Sequence, residues 1–315
     1  MKRNNKYIFL LISSLLFGCQ KEIEIALPNQ DSNYVVNCLF QPFTIPYPQN
    51  ISAYMGETIS ILDTIDYPII DNAKLTLFHN DLLIDSLEYF DKTSLYTSSK
   101  IHSLSPGRYQ LKVEHNENII IAEDILPEKV LPTKISILPF AGRDDNNRSY
   151  AKVSFTLNDP EDQDNYYEIF LSSTAFSDPH NIFTDFPPIT SESYYPTVMS
   201  FWKRKPVSLP FSDKEINGKE VVIPIHYLHA FEDFDDVVDS HTITIHFRTI
   251  SENYYNYKVS LLKQGYHLKD DIIYGQAEPI NVFSNIPGNS GIFAAYQSLI
   301  QTFIILNNDY IEIEL

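Results

Sequence analysis

Cysteine is nearly absent from this chain of 315 residues; Cys19 and Cys38 are the two it has. Two thiols, one of them close to the N-terminus, cannot build a disulfide framework, so the folded part must be stabilised by burial. Glycine is also scarce, at nine. Few places remain where backbone could cradle a phosphate, and no phosphate-binding glycine loop, Gly-x-Ser-x-Gly elbow or His-Glu-x-x-His helix occurs. Positive charge is the third shortage. Lys and Arg total 23 against 41 Asp and Glu, a formal net charge of −18, which repels nucleic-acid backbones and excludes them as partners. With no nucleophile motif, metal triad or matched acid pair, the expectation is a protein that is not an enzyme and carries no cofactor.

The N-terminus supplies what the rest lacks. Lys2, Arg3 and Lys6 precede an apolar run from Tyr7 to Phe17, and Leu16-Phe17-Gly18-Cys19 closes it. The run is too short to span a bilayer as a helix. Residues 1–18 therefore read as a lipoprotein signal peptide, with small Gly18 admitting the peptidase and Cys19 becoming the lipidated first residue. Acyl chains on its thiol and freed amine would anchor the chain to the membrane at about 0.8 kcal/mol per buried CH₂. Losing Lys2, Arg3 and Lys6 takes the formal charge from −18 to −21. The following Gln20-Lys21-Glu22-Ile23-Glu24 resembles the signal that sends Bacteroidetes lipoproteins to the outer leaflet of the outer membrane. Gln20, Lys21, Glu22 and Glu24 are thus the expected export residues, and the expected location is the outer membrane, facing the exterior. The alternative is a solvated linker on the periplasmic side.

Beyond a tether at 19–32, the dominant period is two. Tyr109, Leu111 and Val113 alternate with Gln110, Lys112 and Glu114, and Ala151, Val153, Phe155 and Leu157 with Lys152, Ser154 and Thr156, as in half-buried antiparallel strands. Similar runs occur at 73–78, 221–225, 243–247 and 311–315. The expected fold is all-β, with two immunoglobulin-like or fibronectin-like β-sandwich domains. Pro127 and Pro132 place the boundary near 128–132, giving domains at 33–130 and 131–315. Ser105-Pro106-Gly107 before Tyr109 reads as a turn into a late strand. One short helix is expected in the second domain, capped by Ser251, with Tyr255, Val259 and Leu262 at helical spacing up to Gly265. Residues 172–212, rich in Pro, Ser and aromatics, read as a long excursion from the sandwich.

Several residue groups bear on chemistry. Cys38, in the strand-like run Tyr34 to Phe40, reads as a buried small apolar residue. Gly288-Asn289-Ser290-Gly291 is similar to the Gly-Asp-Ser-Gly around a trypsin-like nucleophile, but it has no supporting base and reads as a turn before a strand. His226, His229, His241 and His246 are close in sequence, yet odd separations put His226 opposite His229 and His241 opposite His246 on a sheet. They read as ordinary surface and edge histidines. Asp159, Glu161, Asp162 and Asp164, and the second cluster Glu232, Asp233, Asp235, Asp236 and Asp239, offer oxygens without the glycine-bearing loop of a calcium site; they read as solvated rims. The adjacent pairs Tyr166-Tyr167, Tyr194-Tyr195 and Tyr254-Tyr255 imply that one ring of each pair faces away from the core. Trp202, Lys203, Arg204 and Lys205 join the single tryptophan to the densest cationic run and are the expected partner contact, against a ring folded onto its own domain.

The order of these features resembles one family: a lipobox, Tyr-Val-Val-Asn at the first strand, Ser-Pro-Gly-x-Tyr, Asn165-Tyr166-Tyr167, Phe211-Ser212-Asp213 with Ile216-Asn217-Gly218-Lys219, and Asn285-Ile286 before Gly291-Ile292-Phe293. The chain is similar over its mature length to the DUF4249 family of Bacteroidetes lipoproteins. Where members end in Asn-Gly-x-Gly, this chain has Pro287-Gly288-Asn289-Ser290-Gly291. The resemblance implies no established enzymatic activity and an accessory role beside a TonB-dependent outer-membrane receptor. The alternative is a stand-alone adhesive or structural surface lipoprotein that binds polysaccharide or protein.

Overall fold

The computed structural model describes residues 33–42, 51–59, 68–98, 104–143, 149–173, 182–192, 208–228, 240–274, 280–288, 290–306 and 309–315. Strands dominate it. The first half holds β1 (Tyr34–Phe40), β2 (Ile51–Glu57), β3 (Lys74–His79), β4 (Leu82–Phe90), β5 (Leu95–Thr97), β6 (Gly107–His115) and β7 (Asn118–Leu126). The second half holds β8 (Pro132–Arg143), β9 (Ser149–Asn158), β10 (Tyr166–Ser173), β11 (Ile182–Phe183), helix α1 (Pro187–Glu192), β12 (Leu209–Ser212), β13 (Glu220–Leu228) and β14 (Ser240–Ile250). Helix α2 (Glu252–Tyr274), β15 (Ser290–Leu306) and β16 (Ile311–Glu314) complete it. The strands form one sheet in the order β12-β10-β14-β15-β1-β2-β5-β4-β3-β6-β7 and a second in the order β11-β13-β9-β8-β16. The all-β expectation holds, and the sheets are arranged as in a sandwich.

Alternation in sequence becomes alternation of burial. Ala151, Val153, Phe155 and Leu157 are fully buried, and so, to within a per cent, are Tyr109, Leu111 and Val113. Two cores result. One gathers Val36, Cys38, Phe40, Met55, Leu75 and Leu111 with other first-half residues; the second gathers Ile137, Phe155, Tyr167, Ile225, Phe247 and their neighbours from Val130 onward. Burial pushes the Cys38 thiol well above its ordinary range, so it packs as an apolar group.

Strand β15 serves both cores. Ser290 to Ala295 run parallel to β1, and Tyr296 to Leu306 run antiparallel to β14. Phe293 and Ala295 complete the first core, whereas Phe303 and Ile305 belong to the second. Gly291 has φ of +111°, and a Cβ there would lie 2.0 Å from the Val36 carbonyl oxygen. Glycine is thus required where β15 crosses β1.

Ser105-Pro106-Gly107 forms the expected turn, with Gly107 at φ +139°. Tyr109 closes it: its hydroxyl donates to Ser105 C=O at 2.8 Å and accepts from Ser105 N–H at 3.1 Å, the tyrosine corner of immunoglobulin-like sandwiches. Asn80 and Asp81, at φ +48° and +66°, form the β3–β4 turn, since two positive φ values match the twist of a two-residue hairpin. Both described ends of the 172–212 excursion return to the second core, where Ile182, Ile189, Leu209 and Phe211 are fully buried.

Candidate functional site

Cys19, Gln20, Lys21, Glu22 and Glu24 lie outside the described residues, as do Trp202, Lys203, Arg204 and Lys205. So do His229, Tyr194-Tyr195 and the second acidic cluster from Glu232 to Asp239. Within the described residues the densest chemistry lies under α2.

Ser251 starts that helix as expected, its Oγ accepting from Tyr254 N–H at 3.2 Å. Gly265 does not end it, because one glycine weakens a helix by about 1 kcal/mol without breaking it. The first turns bury Tyr254 and Tyr255 against Ile250, Ile292 and Ala294. Both rings of that pair are therefore buried, and Tyr166, partner of fully buried Tyr167, stacks on Tyr255 at 4.9 Å. Tyr166 thus faces away from the second core, as expected, but is covered there by Tyr255; the strand argument does not apply to Tyr254-Tyr255, which lie on the helix itself.

Beneath the helix, Glu168 of β10 is fully buried. Arg248 Nη1 of β14 donates to its Oε2 at 2.8 Å, and Lys258 Nζ of α2 stands 2.8 Å from its Oε1. The Arg248 guanidinium lies between the Phe170 and Tyr296 rings, 4.6 and 4.4 Å from their centroids. Burial alone would raise the Glu168 pKa, but Lys258 and Arg248 reverse the effect and hold it at about 2. A carboxylate fixed in that state carries no proton near neutrality. Its chemistry is that of a clamp, tying α2 to β10 and β14.

His246 stacks on Phe170 at 4.0 Å, and burial, with Arg248 nearby, lowers its pKa to about 4. His241 meets the Tyr227 hydroxyl at 2.8 Å, and His226 stacks on Phe183 at 4.9 Å. These histidines are buried or half-buried ring partners, not the surface residues expected. Each is covered by aromatic neighbours: His246 by Phe170, His226 by Phe183 and Tyr150, and His241 by Tyr227. Among the described residues no group of three or more His, Cys, Asp or Glu converges as metal ligands.

The motif acids are occupied in another way. Asp159 accepts from the Tyr167 hydroxyl and from Gly218 N–H, and Asp213 accepts from Asn165 N–H at 2.6 Å. Burial raises the pKa of both. Asn165-Tyr166-Tyr167 and the segment from Phe211 to Lys219, distant in sequence, thus lock two loops together. A loop of free calcium ligands does not fit this use of Asp159.

A third polar cluster joins the two cores. The Asp124 carboxylate of β7 accepts from Ala295 N–H at 2.7 Å, from Asn253 Nδ2 at 2.9 Å and from the Ser251 hydroxyl. Burial raises its pKa to about 6 against those bonds. Thr249 exchanges hydrogen bonds with the Val130 main chain, and Gln297 Nε2 donates to Pro127 C=O. Asn285, from the Asn-Ile motif, brackets Phe293: its Nδ2 donates to Phe293 C=O at 2.8 Å and its Oδ1 accepts from Phe293 N–H at 2.9 Å. Sequence reading missed this junction, although Asn285 falls in a recognised motif.

Among the described residues no helix is long and apolar enough to cross a membrane. No curated protein matches the chain. One solved structure, described as "Complete structure of manganese lipoxygenase of Gaeumannomyces graminis and partial structure of zonadhesin of Komagataella pastoris", aligns at 12% identity over 84% of this chain and 89% of that one. Its TM-score of 0.25 is too low to support any argument. The sequence pattern of a family described as a domain of unknown function, DUF4249, matches residues 20–302. That match takes in every motif from the first strand to β15, and on it the chain belongs to the DUF4249 family.

Proposed function

We propose that this protein is a lipoprotein on the outer face of the outer membrane, serving as an accessory binding or assembly component of a TonB-dependent receptor system for nutrient uptake. The observation that carries the reading is the N-terminus: the cations Lys2, Arg3 and Lys6, the apolar run to Phe17, then Gly18-Cys19 and the charged Gln20 to Glu24. The interior of the body is consistent with a binding role, since its buried charges are used in holding elements together. Such a protein would act by position. Acyl chains on Cys19 confine it to the membrane plane, which raises its effective concentration near a receptor without demanding high intrinsic affinity. Affinity capture of the tagged protein from detergent-solubilised membranes tests the role. Recovery of a receptor barrel, lost in Cys19→Ser, is expected; repeated capture without any barrel would overturn it.

A further inference from the structure

Asn217-Gly218 is the one Asn-Gly pair in the chain. It sits in the exposed turn between β12 and β13, where Asn217 N–H donates to Asp213 C=O at 2.7 Å and Lys219 N–H to Ile216 C=O at 2.9 Å. The two residues have different claims on their places. Gly218 is required, since its φ is +69° and a Cβ there would meet Glu161 Cβ at 3.0 Å. Asn217 is exposed, and no described residue bonds its side-chain amide. The Gly218 N–H, for its part, faces a carboxylate: it donates to Asp159 Oδ2 at 3.3 Å. Asp159 is buried and held from two further sides, by the Tyr167 hydroxyl on its Oδ1 and by its own N–H, which donates to Lys219 C=O at 3.1 Å. Burial makes that carboxylate more basic than usual. A fixed base within hydrogen-bond reach of the proton it would abstract has the geometry of general base catalysis.

We propose that Asn217 is a site of self-modification, converted to aspartate and isoaspartate in the folded protein with Asp159 as the base that takes the Gly218 amide proton. As Asp159 Oδ2 takes the proton, Gly218 N bonds to Asn217 Cγ and closes a five-membered succinimide. The bond from Cγ to Nδ2 then breaks, and ammonia leaves with the transferred proton. Glycine suits the step because no Cβ hinders the attacking nitrogen. Water adds to either carbonyl of the ring. Opening at Cγ leaves aspartate; opening at the main-chain carbonyl leaves isoaspartate, with the chain running through the side chain. Ammonia is lost and water gained, with no change in oxidation state. Each product sets a new carboxylate near Glu161 and Asp159, where like charges repel. Isoaspartate also lengthens the main chain inside a turn whose ends are bonded, so the tie between Asp159 and the segment from Phe211 to Lys219 weakens as the molecule ages. The reaction needs only the folded body and does not depend on lipidation of Cys19.

Incubation of the full mature chain at neutral pH tests it, with isoaspartate-specific methyl transfer and mass spectrometry of the peptide containing Asn217 as readouts. Conversion should run about tenfold faster in the folded chain than in a free, blocked Glu-Ile-Asn-Gly-Lys peptide. Asp159→Asn should bring the rate down to that of the peptide or below it. Tyr167→Phe frees the same carboxylate from one bond but keeps the base, and should stay fast. Glu161→Gln removes a neighbouring charge that does not reach the Gly218 N–H, and should leave the rate unchanged. Three results would overturn the proposal: a folded chain that converts no faster than the peptide, an Asp159→Asn chain that converts as fast as the unaltered one or faster, or equal slowing by Glu161→Gln. The first would show that the turn only restrains Asn217, and because it needs no variant it decides even where Asp159→Asn fails to fold.

Discussion

Glu168 is fully buried and faces two cations at once, Arg248 and Lys258. Its pKa falls from 4.5 to about 2 on folding, so it stabilises the native state at and above pH 4.5, and that stabilisation is lost as pH falls towards 2. The shift corresponds to about 3 kcal/mol. Glu168→Gln should cost about as much at pH 7 in chemical denaturation, because it leaves Arg248 and Lys258 buried without their anion. Asp124 has the opposite sign. Its pKa rises from 3.8 to about 6, so the native state binds a proton first, and its contribution is full below about pH 3.8 and lost as pH rises through about 6. In Asp124→Asn the gain in stability on acidifying from pH 6 to pH 4 should shrink by about 2 kcal/mol. Neither residue stood out in the sequence. A lone Glu in Tyr-Tyr-Glu-Ile-Phe reads as an outward-facing strand position, and it does face outward; what the alternation cannot reveal is that α2 brings Lys258 down onto that face.

At the level of elements, local pattern was a good guide and long-range contact was not. The strands around Leu111, Phe155 and Ile245 and the Ser251 cap were legible because period and capping are local signals. The Asn80-Asp81 hairpin was equally available from turn chemistry and was overlooked. Ser251→Ala should cost about 1 kcal/mol in thermal or chemical unfolding. Gly291→Ala should cost about 3 kcal/mol or more, since its Cβ would collide with the Val36 main chain at 2.0 Å. The parallel pairing of β1 with β15 joins residues at opposite ends of the sequence, and nothing in either strand alone names its partner.

For the whole molecule, the two cores divide in sequence near Val130, but β15 contributes Phe293 and Ala295 to the first. A fragment of residues 33–130 lacks that strand and should show no cooperative unfolding transition, while co-expressed residues 131–315 should restore one. The buried junction of Asp124, Asn285 and Thr249 supports the same expectation. The proposed function depends on the N-terminus, whose residues match a processing pattern and are read without reference to packing. Mass spectrometry of the N-terminal peptide of membrane-extracted protein bears most directly on it. A peptide that begins at Cys19 and carries acyl chains on its sulfur and amine is expected; one beginning at Met1, or one with an unmodified Cys19, would rule lipidation out.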